Sequence, residues 1–180
     1  MKKNHLFWLK NAIFLAFLVI FDQITKYVAK AQIKGEKGYT IIDNIISIKY
    51  LDGGNTGAAW GILSGKIVLF IIFTIIAIVI IFKFIFNIYN MYKNNYSLNP
   101  SVKLLNYLLL LLVAGALGNL IDRIVNGYVI DFISFDFINF PIFNVADCYV
   151  TISCTLLLIV CIFKIDKESF NDIFTFKKNK

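Results

Sequence analysis

Apolar residues in this chain gather into long unbroken blocks, and the polar positions collect between them. Four such blocks stand near 6–28, 67–86, 104–121 and 143–163. A hydrocarbon core of about 30 Å takes roughly 20 helical residues to cross, so each block predicts a transmembrane helix. No two blocks are similar enough to form a repeat. The one long polar segment is 30–66, between the first two blocks. Within it, 39–50 (YTIIDNIISIKY) is rich in β-branched residues and reads as extended, and Gly53 and Gly54 then break it. The pattern predicts an all-α integral membrane protein, one membrane domain over 1–180, with four spans and a small β-rich loop platform on the outer membrane face.

The first block competes with a cleaved signal peptide, because Lys2 and Lys3 precede it. No small-x-small cleavage site follows, and the block ends in Asp22, Gln23, Thr25 and Lys26, so it is read as a retained helix.

Composition agrees with the pattern. The chain of 180 residues is 59% hydrophobic, with a mean hydropathy of +0.75, whereas soluble domains are about 45–50% apolar. The formal charge of +7 comes from lysines at the termini and between blocks rather than along a basic face, so anionic headgroups rather than nucleic acid are the expected partner. With the N-terminus inside, the inner segments hold Lys2, Lys3, Lys10, Lys83, Lys93, Lys103, Lys164, Lys167, Lys177, Lys178 and Lys180, eleven of the 18 basic residues. The outer side holds Lys30, Lys34, Lys37, Lys49, Lys66 and Arg123. The bias predicts both termini in the cytoplasm.

Cys148, Cys154 and Cys161 all fall in the last block without a metal-ligand spacing, and read as packing residues. The only histidine is His5. That count excludes a Ser-His membrane protease and a zinc protease with paired helical histidines. No cofactor and no metal is expected.

Charged residues at the centre of a span cost about 2.5–3.5 kcal/mol each, so those present call for an explanation. Asp22 and Lys26 share one helical face and read either as a snorkelling ion pair or as a site contact. Ala114, Gly115, Ala116 and Gly118 allow close helix approach, followed by Asn119, Asp122 and Arg123. Asp122 and Arg123 are adjacent and point apart, so another group must satisfy at least one of them. Asp131 lies in Val129-Ile130-Asp131-Phe132-Ile133, a poorly hydrated setting that raises a carboxyl pKa. Asp147 opens the fourth block, and both carboxylates reach the same membrane face. Converging, they would share one proton as an aspartic protease pair does; alternatively each caps a helix N-terminus.

Five stretches in order carry a resemblance: Asp22-Gln23-Ile24-Thr25-Lys26, Asn55-Thr56-Gly57-Ala58-Ala59-Trp60-Gly61, Gly115-Ala116-Leu117-Gly118-Asn119-Leu120-Ile121-Asp122-Arg123, Val129-Ile130-Asp131-Phe132 and Phe143-Asn144-Val145-Ala146-Asp147. Over nearly its whole length the chain resembles the lipoprotein signal peptidases (signal peptidase II). The resemblance implies a metal-free aspartyl endopeptidase of the bacterial cell membrane that cleaves prolipoproteins before a diacylglyceryl-modified cysteine. Its partners would be those prolipoproteins and membrane lipids, its state monomeric, and its site toward the outer face.

The family's catalytic pair falls on Asp131 and Asp147. Asp22, Lys26, Asn55, Asn119, Arg123 and Asn144 would shape the site, Gly57 would allow close backbone approach, and Asp122 would partner a neighbouring cation. Two departures stand out: Gly54 where the family usually has a basic or polar residue, and Cys148 where it usually has Ser. The rival class is a small proton-coupled transporter using intramembrane carboxylates, which leaves the Asn55 motif without a purpose. A purely structural subunit would leave Asp131 and Asp147 freely replaceable.

Overall fold

The computed structural model describes residues 2–35, 38–57, 65–95 and 98–175. The elements run α1 (Lys2–Gln32), β1 (Tyr39–Ile42), β2 (Ile46–Ile48), α2 (Ile67–Asn95), α3 (Pro100–Asn126), β3 (Ile133–Phe135), α4 (Val145–Phe163) and α5 (Lys167–Phe174). Among the described residues four helices are long and apolar enough to cross a membrane: His5–Gln32, Ile67–Asn94, Pro100–Asn126 and Val145–Phe163. The expected spans are therefore present, but the first three helices run beyond their apolar blocks. Hydropathy registers only the lipid-facing core, while helical hydrogen bonding continues into the polar flanks. At 1.5 Å per residue the 29 residues of α2 reach about 43 Å, beyond a hydrocarbon core of about 30 Å.

The helices alternate in direction. α3 is central, packing on α1, α2 and α4, and it carries the largest share of buried residues among the four spans. Its start is fixed by Asn99, whose side chain accepts from the Ser101 and Val102 amides (2.8 and 3.1 Å) ahead of Pro100 in the first turn. Its end is a left-handed Gly127 (φ 77°).

Two small residues set how closely the other helices approach. A Cβ at Gly115 would meet the Ala146 carbonyl and Val150, and one at Gly118 would meet the Asp22 carboxylate and the Ala146 methyl. The small-residue run thus brings α1 and α4 together across α3, as its composition predicts.

At the end formed by the start of α1 and the end of α2, Phe7, Ile81, Ile85, Ile88, Val102 and Leu105 belong to the main apolar core. One neutral polar pair sits in that half. Asn11 and Asn106 exchange side-chain hydrogen bonds (3.3 and 3.1 Å) between α1 and α3, both buried. Beyond the membrane-length part of α2, Asn87 Nδ2 donates to the carbonyls of Ile173 and Thr175 (2.7 and 3.1 Å), docking α5. The apolar-block pattern had not predicted α5, whose eight residues fall below span length.

At the opposite end the polar loop builds the platform. β1, β2 and β3 form an antiparallel sheet in that order, with Thr40 opposite Ser47 and Ser47 opposite Ser134. The predicted strand pair is present, joined by a third strand from the connection between α3 and α4. Ala29, Ile33, Tyr50, Ile130 and Phe132 make a second, smaller core between the platform and α1. Beyond β2 the pairing continues, with the Lys49 and Leu51 amides donating to the carbonyls of Phe132 (2.9 Å) and Asp131 (3.1 Å). Phe143 pairs with Ile133 on the other side. Asp131 is thus held in extended backbone with neighbours on two sides.

Candidate active site

α4 begins with a capping box. The Asn144 side-chain oxygen accepts from the Asp147 amide (3.0 Å), and Asp147 Oδ2 accepts from the Asn144 amide (3.1 Å). The helix-capping reading of Asp147 is therefore realised, yet only one of its oxygens is used for it. The other, Oδ1, accepts from Asn119 Nδ2 at 2.8 Å.

Asp131 is not a cap. It projects from the extended segment before β3, and each oxygen accepts one amide: Oδ1 from Asn144 Nδ2 (2.6 Å) and Oδ2 from Asn55 Nδ2 (2.9 Å). Asn144 therefore binds both carboxylates, one through its side chain and one through its backbone. Asp131 is 1% exposed, and burial, followed by the nearby charge of Asp147, pushes its pKa up to about 7 from 3.8. The amides of Asn55 and Asn144 and the charge of Lys26 oppose that rise.

Around the pair lies a second layer. Lys26 bonds Asp22 Oδ2 (3.0 Å), Asp122 Oδ2 (3.1 Å) and Asn119 Oδ1 (2.9 Å). Asp22 and Lys26 are 0% and 1% exposed, so the pair is buried in the bundle and does not snorkel. Asp122 also accepts from the Ile130 amide (3.0 Å), and Arg123 donates to the Gly57 carbonyl (3.1 Å) with its guanidinium 4.9 Å from the Phe70 ring centre. The adjacent side chains thus find separate partners, as their opposed directions require, although the buried Arg123 Nε has none among the described residues. Gly57 is held twice, its amide donating to Asn55 Oδ1 (3.0 Å). The rest of that motif, Ala58 to Gly61, lies outside the described residues, as does Lys37 of the outer loop.

Asp131, Asp147, Asn55, Asn119 and Arg123 line one cleft of about 770 Å³. Its other walls are largely apolar, including Phe135, Phe140, Ile142, Val150 and Ile152. Cys148, expected only to pack, also faces this cleft. Gly54 has a structural reason: its φ is +68°, and a side chain there would run into the Tyr128 ring.

All the expected site residues are thus gathered at one end of the bundle. Sequence reasoning left out Gln23, whose side chain donates to Asp22, to the Gly118 carbonyl and to Asp122 (3.1, 3.2 and 3.4 Å). Its signal was available, since it is a polar residue inside an apolar block. The aromatic wall had no signal, because every span is rich in such residues.

Comparison with known proteins places this arrangement. Residues 14–163 match the family model described as signal peptidase (SPase) II. The lipoprotein signal peptidase of Caldanaerobacter subterraneus is 38% identical over 153 residues, covering 84% of this chain and 95% of that one. That of Staphylococcus aureus is 41% identical over 145 residues, covering 79% and 82%. A solved structure described as a bacterial membrane enzyme superposes with a TM-score of 0.68 at 34% identity, covering 95% of this chain and 94% of that one. The four spans and these likenesses make it a multi-pass bacterial membrane hydrolase. The chain belongs to the signal peptidase II family.

Proposed function

We propose that this protein is an aspartyl endopeptidase that removes signal peptides from bacterial prolipoproteins, hydrolysing the bond before a diacylglyceryl-modified cysteine, with Asp131 and Asp147 as its catalytic pair. The observation that carries the reading is the sharing of Asn144. One residue holds two carboxylates at the polar end of an otherwise apolar cleft.

With its pKa raised to about 7, Asp131 is protonated in about half of the molecules at neutral pH, and in that form it donates a hydrogen bond to the scissile carbonyl. Asp147, ionised, takes a proton from a water held between them, the hydroxide adds to the carbonyl carbon, and the Asp131 proton passes to the carbonyl oxygen. The resulting diol collapses with proton transfer to the leaving amine. Asn55 and Asn119 hold the two carboxylate planes. The apolar walls take the acyl chains, each buried CH₂ contributing about 0.8 kcal/mol, which favours lipidated over unmodified precursors.

The chain acts as a single membrane domain, with both termini cytoplasmic and the cleft toward the outer face, following the lysine bias; a monomer is the state the family resemblance implies. Asp22, Lys26, Asn55, Gly57, Asn119, Asp122, Arg123 and Asn144 support the pair.

The test is a gel-shift cleavage assay of wild type, Asp131→Asn and Asp147→Asn on lipidated and unmodified prolipoprotein. Cleavage of the lipidated form alone, lost in both variants, is expected. Active variants would make the carboxylates structural, and full loss with EDTA restored by zinc would replace the mechanism.

A further inference from the structure

The two proposed catalytic carboxylates come from different elements, Asp131 from the platform and Asp147 from α4. Neither element alone fixes how far apart they stand. Three groups do touch the chain beside them, and all three meet at one atom.

Asp22 Oδ1 accepts from the amide of Ala146, the residue before Asp147, at 2.9 Å. Asp122 Oδ2 accepts from the amide of Ile130, the residue before Asp131, at 3.0 Å. Asn119 donates to Asp147 itself at 2.8 Å. An ammonium has three N–H donors, and Lys26 has an acceptor for each: Asp22 at 3.0 Å, Asp122 at 3.1 Å and Asn119 at 2.9 Å.

The same bonds settle the orientation of the Asn119 amide. Its oxygen accepts from both Lys26 Nζ and Asn144 Nδ2 (3.1 Å), which turns its NH₂ toward Asp147. A flipped amide would set donor against donor on one side and oxygen against carboxylate on the other.

We infer that Lys26 is a positioning residue whose ammonium, by binding Asp22, Asp122 and Asn119 together, sets the separation and orientation of Asp131 and Asp147. The inference rests on the reading of that pair as the hydrolytic dyad. A stabilising ion pair alone would not need this arrangement. Two carboxylates against one ammonium leave the buried cluster with a net negative charge, and apolar packing commonly matches or exceeds a buried ion cluster in stability. What apolar packing lacks is direction, and here each bond of the ammonium leads to the backbone or side chain of one carboxylate segment.

Charged groups facing the dyad are Asp22 and Lys26 from α1 and Asp122 and Arg123 from α3. Removing the Lys26 charge therefore also takes away one of the influences that hold the Asp131 pKa down.

The experiment measures kcat, KM and the pH profile of kcat/KM on lipidated prolipoprotein for wild type, Lys26→Met, Asp131→Asn and Asp147→Asn, with folding followed by thermal unfolding in detergent. For folded Lys26→Met, kcat is expected to fall about 100-fold, the effect of a displacement near 1 Å. KM should stay within about twofold, and the alkaline limb should move to higher pH. A purely structural lysine would lower the amount of folded enzyme and leave kcat per folded molecule unchanged.

Should Lys26→Met not fold, the neutral variant carrying Asp22→Asn, Lys26→Met and Asp122→Asn removes the unpaired carboxylates. It is expected to show the same kcat loss at unchanged KM. Wild-type kcat and pH limb in the folded variant, with both aspartate variants inactive, would overturn the positioning role and leave the dyad standing. A rise in KM at unchanged kcat would overturn it in favour of a substrate contact. Activity in Asp131→Asn or Asp147→Asn would overturn both readings.

Discussion

The two ends of the bundle are held by different physics. At the end where α2 and α5 meet, a broad apolar core surrounds neutral amides, the Asn11–Asn106 pair and Asn87 bonded to the α5 backbone. At the other end the apolar core between platform and α1 is small, and most directional contacts are made by buried charges and amides. Apolar packing is non-directional and tolerates volume-conserving exchange. A buried polar network is costly when incomplete and specifies one geometry. The first end can therefore change its residues at modest cost to function, while the second cannot.

That contrast can be broken in four ways, from the largest expected effect to the smallest. Asn144→Ala removes the N-cap of α4 and the side-chain bonds to Asp131 and Asn119. Activity in the cleavage assay should fall at least about 100-fold, and unfolding in detergent should register a loss of about 1 kcal/mol for the cap. A variant that keeps its activity would mean that the carboxylates do not depend on Asn144.

Gly118→Ala sets two terms against each other. Alanine favours the helix by about 1 kcal/mol, but its methyl would collide with the Asp22 carboxylate and the Ala146 methyl. The collision should win for function, with activity dropping roughly 100-fold while stability changes little. Activity near wild type would show that α1 can shift without disturbing the site.

The pH dependence follows from Asp131. Since the mechanism needs its protonated form, kcat/KM should fall about tenfold per pH unit well above about 7. Stability has the same sign. A carboxyl whose folded pKa lies above its unfolded value favours folding fully below the unfolded value, and that contribution is lost as pH rises through the folded one. Thermal unfolding midpoints should thus decline between about pH 4 and 7, and Asp131→Asn should flatten this slope. An unchanged slope would place the titration elsewhere.

The smallest effect is expected at the opposite end. Asn11→Ala leaves the Asn106 amide unpaired and should cost about 1 kcal/mol, whereas Asn11→Leu with Asn106→Leu should be nearly neutral. Both should retain cleavage within about twofold. A large loss of activity from either would dissolve the contrast between the two ends.

Much of this organisation is written locally along the chain. Span positions follow from runs of apolar residues, since crossing the hydrocarbon needs only length and the absence of charge. The strand pair at 39–50 follows from β-branched residues and a glycine break. The polar residues of the site are conspicuous because a charge in an apolar block is expensive, which is why Asp22, Lys26, Asp122 and Arg123 were visible before any fold was known.

Tertiary structure decided the rest, because it depends on residues far apart in the chain. β3 exists through pairing with β2, whose residues lie nearly ninety positions earlier. α5 is docked by Asn87 and not by its own length. Whether Asp22 and Lys26 snorkelled or turned inward depended on Asp122, Asn119 and Ala146 arriving beside them. Asp147 could cap a helix and enter a cleft at once because a carboxylate has two oxygens and the fold addresses each separately. The cost of an isolated charge is a local property of the sequence, whereas the partner that answers it is a property of the packed chain.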